Sequence, residues 1–256
     1  MASRAIVRRP GENFAEGLTT VDLGKPGYEL ALRQHDAYCR ALERCGLSLT
    51  RLKPDARFPD STFVEDTAVL TPQGAVIARP GAASRAREIE EIRGLLRKDF
   101  AQVREICEPG TLDGGDVCEA GNRFFIGVSQ RTNEAGAKQL AALLGGFGYD
   151  TTLIDIRGLS NILHLKSGLA YLGGNRLLMI DELRDCKEFA GYAVVGIDKT
   201  EAYGANCLLI NDRVLIASGF SRLRRQLERL DYEVIALDMS EFQKMDGGLS
   251  CLSLRF

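Results

Sequence analysis

One pattern recurs five times along the chain: a polar loop leads into a short strand-like segment, and in four cases that segment turns back into a second strand. The first such loop, Phe58-Pro59-Asp60-Ser61-Thr62-Phe63-Val64-Glu65-Asp66, runs into residues 67–70, which turn at Pro72-Gln73-Gly74 into 75–78. The second, Gly110-Thr111-Leu112-Asp113-Gly114-Gly115-Asp116, precedes a hairpin turning at 120–123, and the third, 161–167, one turning at 173–176. The fourth, 202–207, precedes a turn at 211–213. The fifth, Asp246-Gly247-Gly248-Leu249-Ser250-Cys251, is followed by a single strand. Helical periodicity fills the gaps at 28–47, 84–100, 132–147 and 221–230, with further strands at 47–52, 150–156 and 232–237. Arg79-Pro80-Gly81 also echoes Arg9-Pro10-Gly11.

Such a repeat limits the fold. Hairpins alternating with helices do not give an all-parallel doubly wound sheet. The unpaired strand after Cys251 has a ready partner in residues 5–9, and their pairing would close five ββαβ units into a ring. Closure also removes two exposed sheet edges. The expectation is a single domain over residues 1–256, with its five loops meeting at the centre.

Composition narrows the class of function. Lys plus Arg (33) against Asp plus Glu (35) leaves a net charge of −2 without blocks of one sign, which gives no reason to expect nucleic acid or an anionic membrane as partner. No apolar run approaches the roughly 20 residues of a membrane span. The first 14 residues carry three arginines and no apolar core, unlike a signal peptide, so the expected location is cytoplasmic. Seven cysteines without a C-x-x-C pair argue against a disulfide framework or zinc ribbon, and two histidines are too few for a metal cluster. No metal or cofactor is expected. Phosphate-loop, serine-elbow and zincin motifs are missing from the sequence, and Gly145-Gly146-Phe147-Gly148 is a helix stop.

If the loops converge, they bring together Asp60, Glu65, Asp66, Asp113, Asp116, His164, Asn206 and Cys251. A thiol, an imidazole and an acid suffice for covalent catalysis. The surplus carboxylates suggest a cationic substrate group, and a planar guanidinium matches carboxylates best. By contrast His35 sits on the apolar stripe of the first helix as a core histidine. Cys39, Cys45, Cys107, Cys118 and Cys186 fall in helix or strand patterns as small hydrophobes. The alternative role for Asp116 is to bond the backbone of its own glycine turn.

The motifs 58–66, 110–116, 163–167 and 246–251, in that order, strongly resemble those of the dimethylarginine dimethylaminohydrolase family. This family belongs to the guanidine-modifying enzymes with the pentein fold, a five-bladed α/β propeller of ββαβ units. The resemblance runs from about residue 5 to Phe256. It implies hydrolysis of dimethylarginine or monomethylarginine to citrulline and a methylamine, a small-molecule partner, and compatibility with a homodimer. It also implies roles: Cys251 as nucleophile, forming a thiouronium; His164 as proton donor and later base; Asp113 orienting His164 or binding the guanidinium. Asp60 and Asp66, with Glu65, would grip the guanidinium, and Leu18 in the 12–27 loop would belong to a lid. Asp113 departs from members that carry Glu there, which shortens its reach to His164. Arg85 and Arg131, beside the prospective N-caps Ser84 and Thr132, are the expected partners of the substrate α-carboxylate.

A free thiol is only a few per cent ionised at neutral pH, and nearby carboxylates lower that fraction. A guanidinium about 5 Å away offsets them by roughly 3 kcal/mol, so substrate itself would help ionise Cys251. The alternatives are an arginine deiminase, agmatine deiminase or amidinotransferase of the same fold, or a non-catalytic ribosome-binding relative, which would not need the thiol, imidazole and acid together.

Overall fold

The structure, a computed structural model, describes residues 2–256. Its strands are β1 (Arg4–Arg8), β2 (Ser48–Leu52), β3 (Ala68–Thr71), β4 (Gly74–Ile77), β5 (Val103–Glu105), β6 (Val117–Ala120), β7 (Arg123–Val128) and β8 (Asp150–Asp155). They continue with β9 (Leu169–Tyr171), β10 (Arg176–Met179), β11 (Ala193–Gly196), β12 (Leu208–Ile210), β13 (Arg213–Ala217), β14 (Glu233–Leu237) and β15 (Leu254–Arg255). The helices are α1 (Tyr28–Arg44), α2 (Ile89–Asp99), α3 (Glu134–Gly146), α4 (Leu165–Gly168), α5 (Ser221–Glu228) and α6 (Ser240–Gln243).

These strands form five three-stranded sheets, β15-β1-β2, β3-β4-β5, β6-β7-β8, β9-β10-β11 and β12-β13-β14. In every sheet the first pair is antiparallel and the second parallel. A crossover must therefore link the second and third strands of each blade. The expected closure is present: β15 pairs with β1 as Ala5↔Arg255 and Ile6↔Leu254. Val103–Glu105 is a strand that the sequence pattern did not distinguish, because its three residues are too short to show alternation. Among the described residues no helix is long and apolar enough to cross a membrane.

The apolar faces of the crossovers build the core. On α3, Ala137, Leu140 and Leu144 recur at three- and four-residue spacing and pack with Phe124, Ile126 and Val128 of β7. On α1, Tyr38, Cys39 and Leu42 pack with Ala5 and Val7 of β1. The fourth blade departs from ββαβ. Residues 180–192 leave little length for a helix with two connections, and two 3-10 turns, Asp181–Leu183 and Lys187–Phe189, make the crossover instead. Leu183 and Phe189 seal the core there, with the Phe189 ring 4.9 Å from Phe125.

Helix boundaries also shift. The segment expected from 84 begins as a 3-10 turn at Ala83–Arg85, and the α-helix starts at Ile89. The cap expected at Thr132 lies at Asn133, whose side chain accepts the Gly136 N–H. Thr132 is drawn inward, its Oγ1 accepting the Asp113 N–H at 3.1 Å.

The five leading strands surround an axial cavity of about 450 Å³. At one end it reaches the side chains of Glu65, Lys166, Ser250 and Arg255. The loops that carry the prospective site cross the axis there.

Candidate active site

The first loop is two successive 3-10 turns, Pro59–Thr62 and Val64–Thr67. With three residues per turn, adjacent side chains diverge by about 120°. Asp66 and Glu65 consequently face different ways. Asp66 Oδ2 accepts from Arg85 Nη1 at 2.6 Å and Oδ1 from the Gly115 N–H at 2.9 Å. Burial works against its charge, but the facing His164 and Arg85 prevail and hold it down to about 2. Glu65, expected among the guanidinium ligands, points instead toward the axis. Its Oε1 lies 2.6 Å from Lys166 Nζ and 3.2 Å from Arg255 Nη2, and Oε2 accepts from Ser250 Oγ at 2.7 Å. Its carboxylate is occupied by the protein's own cations.

The second loop supplies Asp113 and Asp116. Asp113 is fully buried, its Oδ2 lies 3.0 Å from His164 Nε2, and its Oδ1 accepts the Gly81 N–H at 2.8 Å. The shorter acid does reach the imidazole. Gly115 allows that approach, since a Cβ there would come within 2.8 Å of the His164 ring. Asp116 does not serve its own glycine turn through its side chain. Its Oδ1 accepts the Leu165 N–H at 3.0 Å and its Oδ2 accepts from Ser129 Oγ at 2.7 Å, so it fixes the segment carrying His164. Burial pushes its carboxyl up to about 6.

His164 opens α4. Burial alone would drive its imidazole toward neutrality, but Asp66, Asp116 and Asp113 together push it up to about 9. Cys251 lies in the 3-10 turn Ser250–Leu252, and its Sγ accepts the Gly248 N–H at 3.4 Å. Burial first, then Glu65 and Asp66, push the thiol up to about 12. The resting pair is an imidazolium beside a neutral thiol.

Leu18, Asp60, Asp66, Arg131, His164 and Cys251 border one cavity of about 30 Å³, with Arg85 also in its wall. That volume holds about one water. The 12–27 loop covers it: the Leu18 N–H donates to both Asp60 oxygens at 3.1 Å, Thr19 Oγ1 donates to Lys244 O at 2.9 Å, and the Thr20 N–H to Asp246 Oδ2 at 2.5 Å. Asp60 thus holds the loop as well as facing the cavity, and its carboxyl is raised by burial.

The two arginines differ. Arg85 is buried, and its guanidinium bonds Glu88 Oε2 at 2.8 and 3.0 Å, Asp66 Oδ2 and Phe63 O. Of its five N–H donors one on Nη1 is left over, so it chiefly anchors Asp66 and is a weaker carboxylate partner than expected. Arg131 has as its one ionic neighbour among the described residues Asp113, at 4.0 Å. Neither arginine works through a helix N-terminus as expected, since Ser84 lies inside a 3-10 turn and Asn133 caps α3.

Lys166, Ser250, Arg255 and Ser129 were not singled out from sequence. A basic residue two positions after His164 was the available signal for Lys166; the others carry none. Cys107 is exposed rather than packed, while Cys39, Cys45, Cys118 and Cys207 are buried. One ligand atom each from Asp66, Asp113 and His164 lies within 4.8 Å of the others. Arg85, Gly115 and Gly81 already use those carboxylates, which leaves a poor cage for a metal ion.

An axial ring of five blades with a thiol, an imidazole and carboxylates on the axis defines the guanidine-modifying class, and the arginine deiminase family model matches residues 54–188. Within that class the chain belongs to the dimethylarginine dimethylaminohydrolase family. It is 44% identical to the N(G),N(G)-dimethylarginine dimethylaminohydrolase of Pseudomonas aeruginosa, covering 100% of both chains. It is 36% identical to that of Streptomyces coelicolor, over 99% of this chain and 97% of the relative. The solved structure of a cysteine-to-serine variant of the Pseudomonas aeruginosa protein, complexed with citrulline, superposes with a TM-score of 0.97 over 100% of both chains. The N-terminal domain of ArgZ, 17% identical, shares the fold with a TM-score of 0.87 over 98% of this chain and 97% of that one.

Proposed function

We propose that the protein hydrolyses Nω,Nω-dimethyl-L-arginine and Nω-monomethyl-L-arginine to L-citrulline and dimethylamine or methylamine. The observation that carries this reading is the cavity bordered by Cys251, His164 and Asp66, with His164 Nε2 bonded to Asp113. The full-length likeness to dimethylarginine dimethylaminohydrolases supports the substrate class. Residues 1–256 act as one catalytic domain, and the seven free cysteines suit a reducing, cytoplasmic setting. The exposed edge strand β11, with Val194 45% exposed, offers a face for a homodimer, which light scattering would read.

The chemistry follows from the charge states. With the thiol pushed up to about 12, the free enzyme holds little thiolate at neutral pH. A guanidinium bound beside Asp66 stabilises thiolate, and the thiol proton leaves to solvent as substrate enters. The Cys251 sulfur then bonds to the guanidinium carbon, and the C=N electron pair moves to nitrogen. His164 gives its proton to the dimethylamino nitrogen, the C–N bond breaks, and neutral dimethylamine leaves a thiouronium. The now neutral imidazole takes a proton from water as its oxygen adds to that carbon. As the C–S bond of the second adduct breaks, its hydroxyl proton passes to the departing sulfur, which releases neutral citrulline and restores the Cys251 thiol beside a protonated His164. Asp113 keeps the imidazole oriented and its cation stabilised through both halves.

Arg131, with the remaining Nη1 donor of Arg85, receives the α-carboxylate. Leu18 and Asp60 cover the amino-acid end. The 12–27 loop, held by Asp60, Lys244 and Asp246, would open to admit substrate and close to exclude bulk water.

Incubation with dimethylarginine, arginine and agmatine, followed by quantifying citrulline and carbamoyl product, tests the assignment. Citrulline from dimethylarginine, far in excess of turnover of the other two, is expected. Preferential turnover of arginine or agmatine would replace the reading by a deiminase.

A further inference from the structure

The fourth loop supplies no reacting atom, yet one of its side chains touches both loops that do. Asn206 is buried at the end of the 3-10 segment Lys199–Ala205. Its Oδ1 accepts the Ser250 N–H at 2.9 Å, and its Nδ2 donates to Lys166 O and to Ser250 Oγ, both at 3.1 Å. Ser250 directly precedes Cys251, and Lys166 is two residues beyond His164. A single planar amide therefore spans the nucleophile loop and the imidazole loop, with both Nδ2 protons committed.

Two further links make the span rigid. Ser250 Oγ donates to Glu65 Oε2, and Glu65 Oε1 holds Lys166 Nζ, so Asn206, Ser250, Glu65 and Lys166 close a ring of contacts. Tyr203, from the same 3-10 segment, donates its hydroxyl to Gly247 O at 2.8 Å. The amide also needs bare backbone beside it, since a Cβ on Gly248 would come within 2.9 Å of Asn206 Nδ2. The segment 199–206 grips the thiol loop at two points and the imidazole loop at one.

We propose that Asn206 is a positioning residue that sets the separation of Cys251 from His164. The proposal rests on the reading of those two residues as the reacting pair. Displacing a reacting atom by 1 Å costs on the order of 100-fold in rate, whereas substrate contacts lie on the cavity side, away from this amide. Removing the amide therefore lowers kcat and spares KM.

The test compares wild type with Asn206→Ala, Asn206→Asp and Leu227→Ala, the last a fully buried side chain on α5 of the same blade with no polar atom to bond either loop. Steady-state constants with dimethylarginine and the rate of Cys251 alkylation by chloroacetamidine are measured. Asn206→Ala is expected to lose about 100-fold in kcat with KM within about threefold, and to slow alkylation, while Leu227→Ala keeps kcat within about twofold. Asn206→Asp can donate to Lys166 O only as the protonated acid, so its kcat relative to wild type should climb as pH falls. Retained kcat in Asn206→Ala, a rise confined to KM, or a loss matched by Leu227→Ala would overturn the proposal. Should Asn206→Ala not fold, a pH-independent activity ratio for Asn206→Asp would overturn it equally. Failure of wild type to release citrulline would reject the enzymatic reading instead, and alkylation rates of the variants would still report on positioning.

Discussion

Two buried histidines in this protein end in different charge states at neutral pH, His35 uncharged and His164 a cation. His35 on α1 lies 3.7 Å from Cys39 Sγ through its Nδ1, and its buried Nε2 has no hydrogen-bond partner. Burial pushes that imidazole down to about 4, with Asp36 the strongest opposing influence and Arg51 and Arg9 reinforcing burial. His164 is as deeply enclosed, but three carboxylates from two other loops surround it and push it up to about 9. Both thiols are raised by burial, Cys39 to about 11 and Cys251 to about 12. What separates the chemical pair from the packed pair is the set of acids around the imidazole and a cavity beside the sulfur. A cysteine alone does not separate them, since His35 has one at 3.7 Å and His164 shares its cavity with Cys251.

The sharpest way to break this contrast is at the sulfurs. Cys251→Ser should abolish citrulline release, by at least about 10³-fold in kcat, while Cys39→Ser stays within about twofold of wild type. The acids come next. Asp113→Asn keeps the shape but removes charge, and should lower kcat about 10²- to 10³-fold while moving the His164 imidazole below its present value of about 9, read by NMR titration. Asp36→Asn, next to the other histidine, should leave activity unchanged.

The two imidazoles also oppose each other in pH. His164 is raised, so its stabilisation is complete below its unfolded value of about 6.5 and is lost as pH rises through about 9. The same deprotonation removes the proton owed to the leaving amine, and kcat/KM should fall above about pH 9. His35 is depressed, so its contribution is present above about 6.5 and is lost as pH falls through about 4, roughly 3 kcal/mol in all. Urea midpoints at pH 7 and pH 4.5 should show that His35→Leu reduces this acid-side loss. The smallest effect lies at Lys166. Lys166→Met leaves Glu65 less compensated beside Cys251 and should slow chloroacetamidine alkylation about threefold to tenfold.

Much of this arrangement was legible before any coordinates. The five loops, their order, the pairing of residues 5–9 with the strand after Cys251, and His35 as a core histidine all follow from pattern and spacing. The directions of Glu65 and Arg85 do not. Both sit in 3-10 turns, where a one-residue difference swings a side chain by a third of a turn, and their partners come from elsewhere. Lys166 and Arg255 decide the first, Asp66 and Glu88 the second. The fourth blade likewise gave up its helix for want of chain length, which pattern alone does not reveal.

By itself the sequence determined which chemical groups exist and which local elements present them, because periodicity and turn chemistry act over a few residues. Tertiary structure alone decided which histidine carries charge, which carboxylates face the cavity, and that Asn206 joins two loops. Those outcomes depend on electrostatic and hydrogen-bond partners 40 or more residues apart, such as Asp113 with His164 and Asn206 with Ser250. Charge and orientation at such distances are set by the surrounding atoms, which only the folded chain brings together.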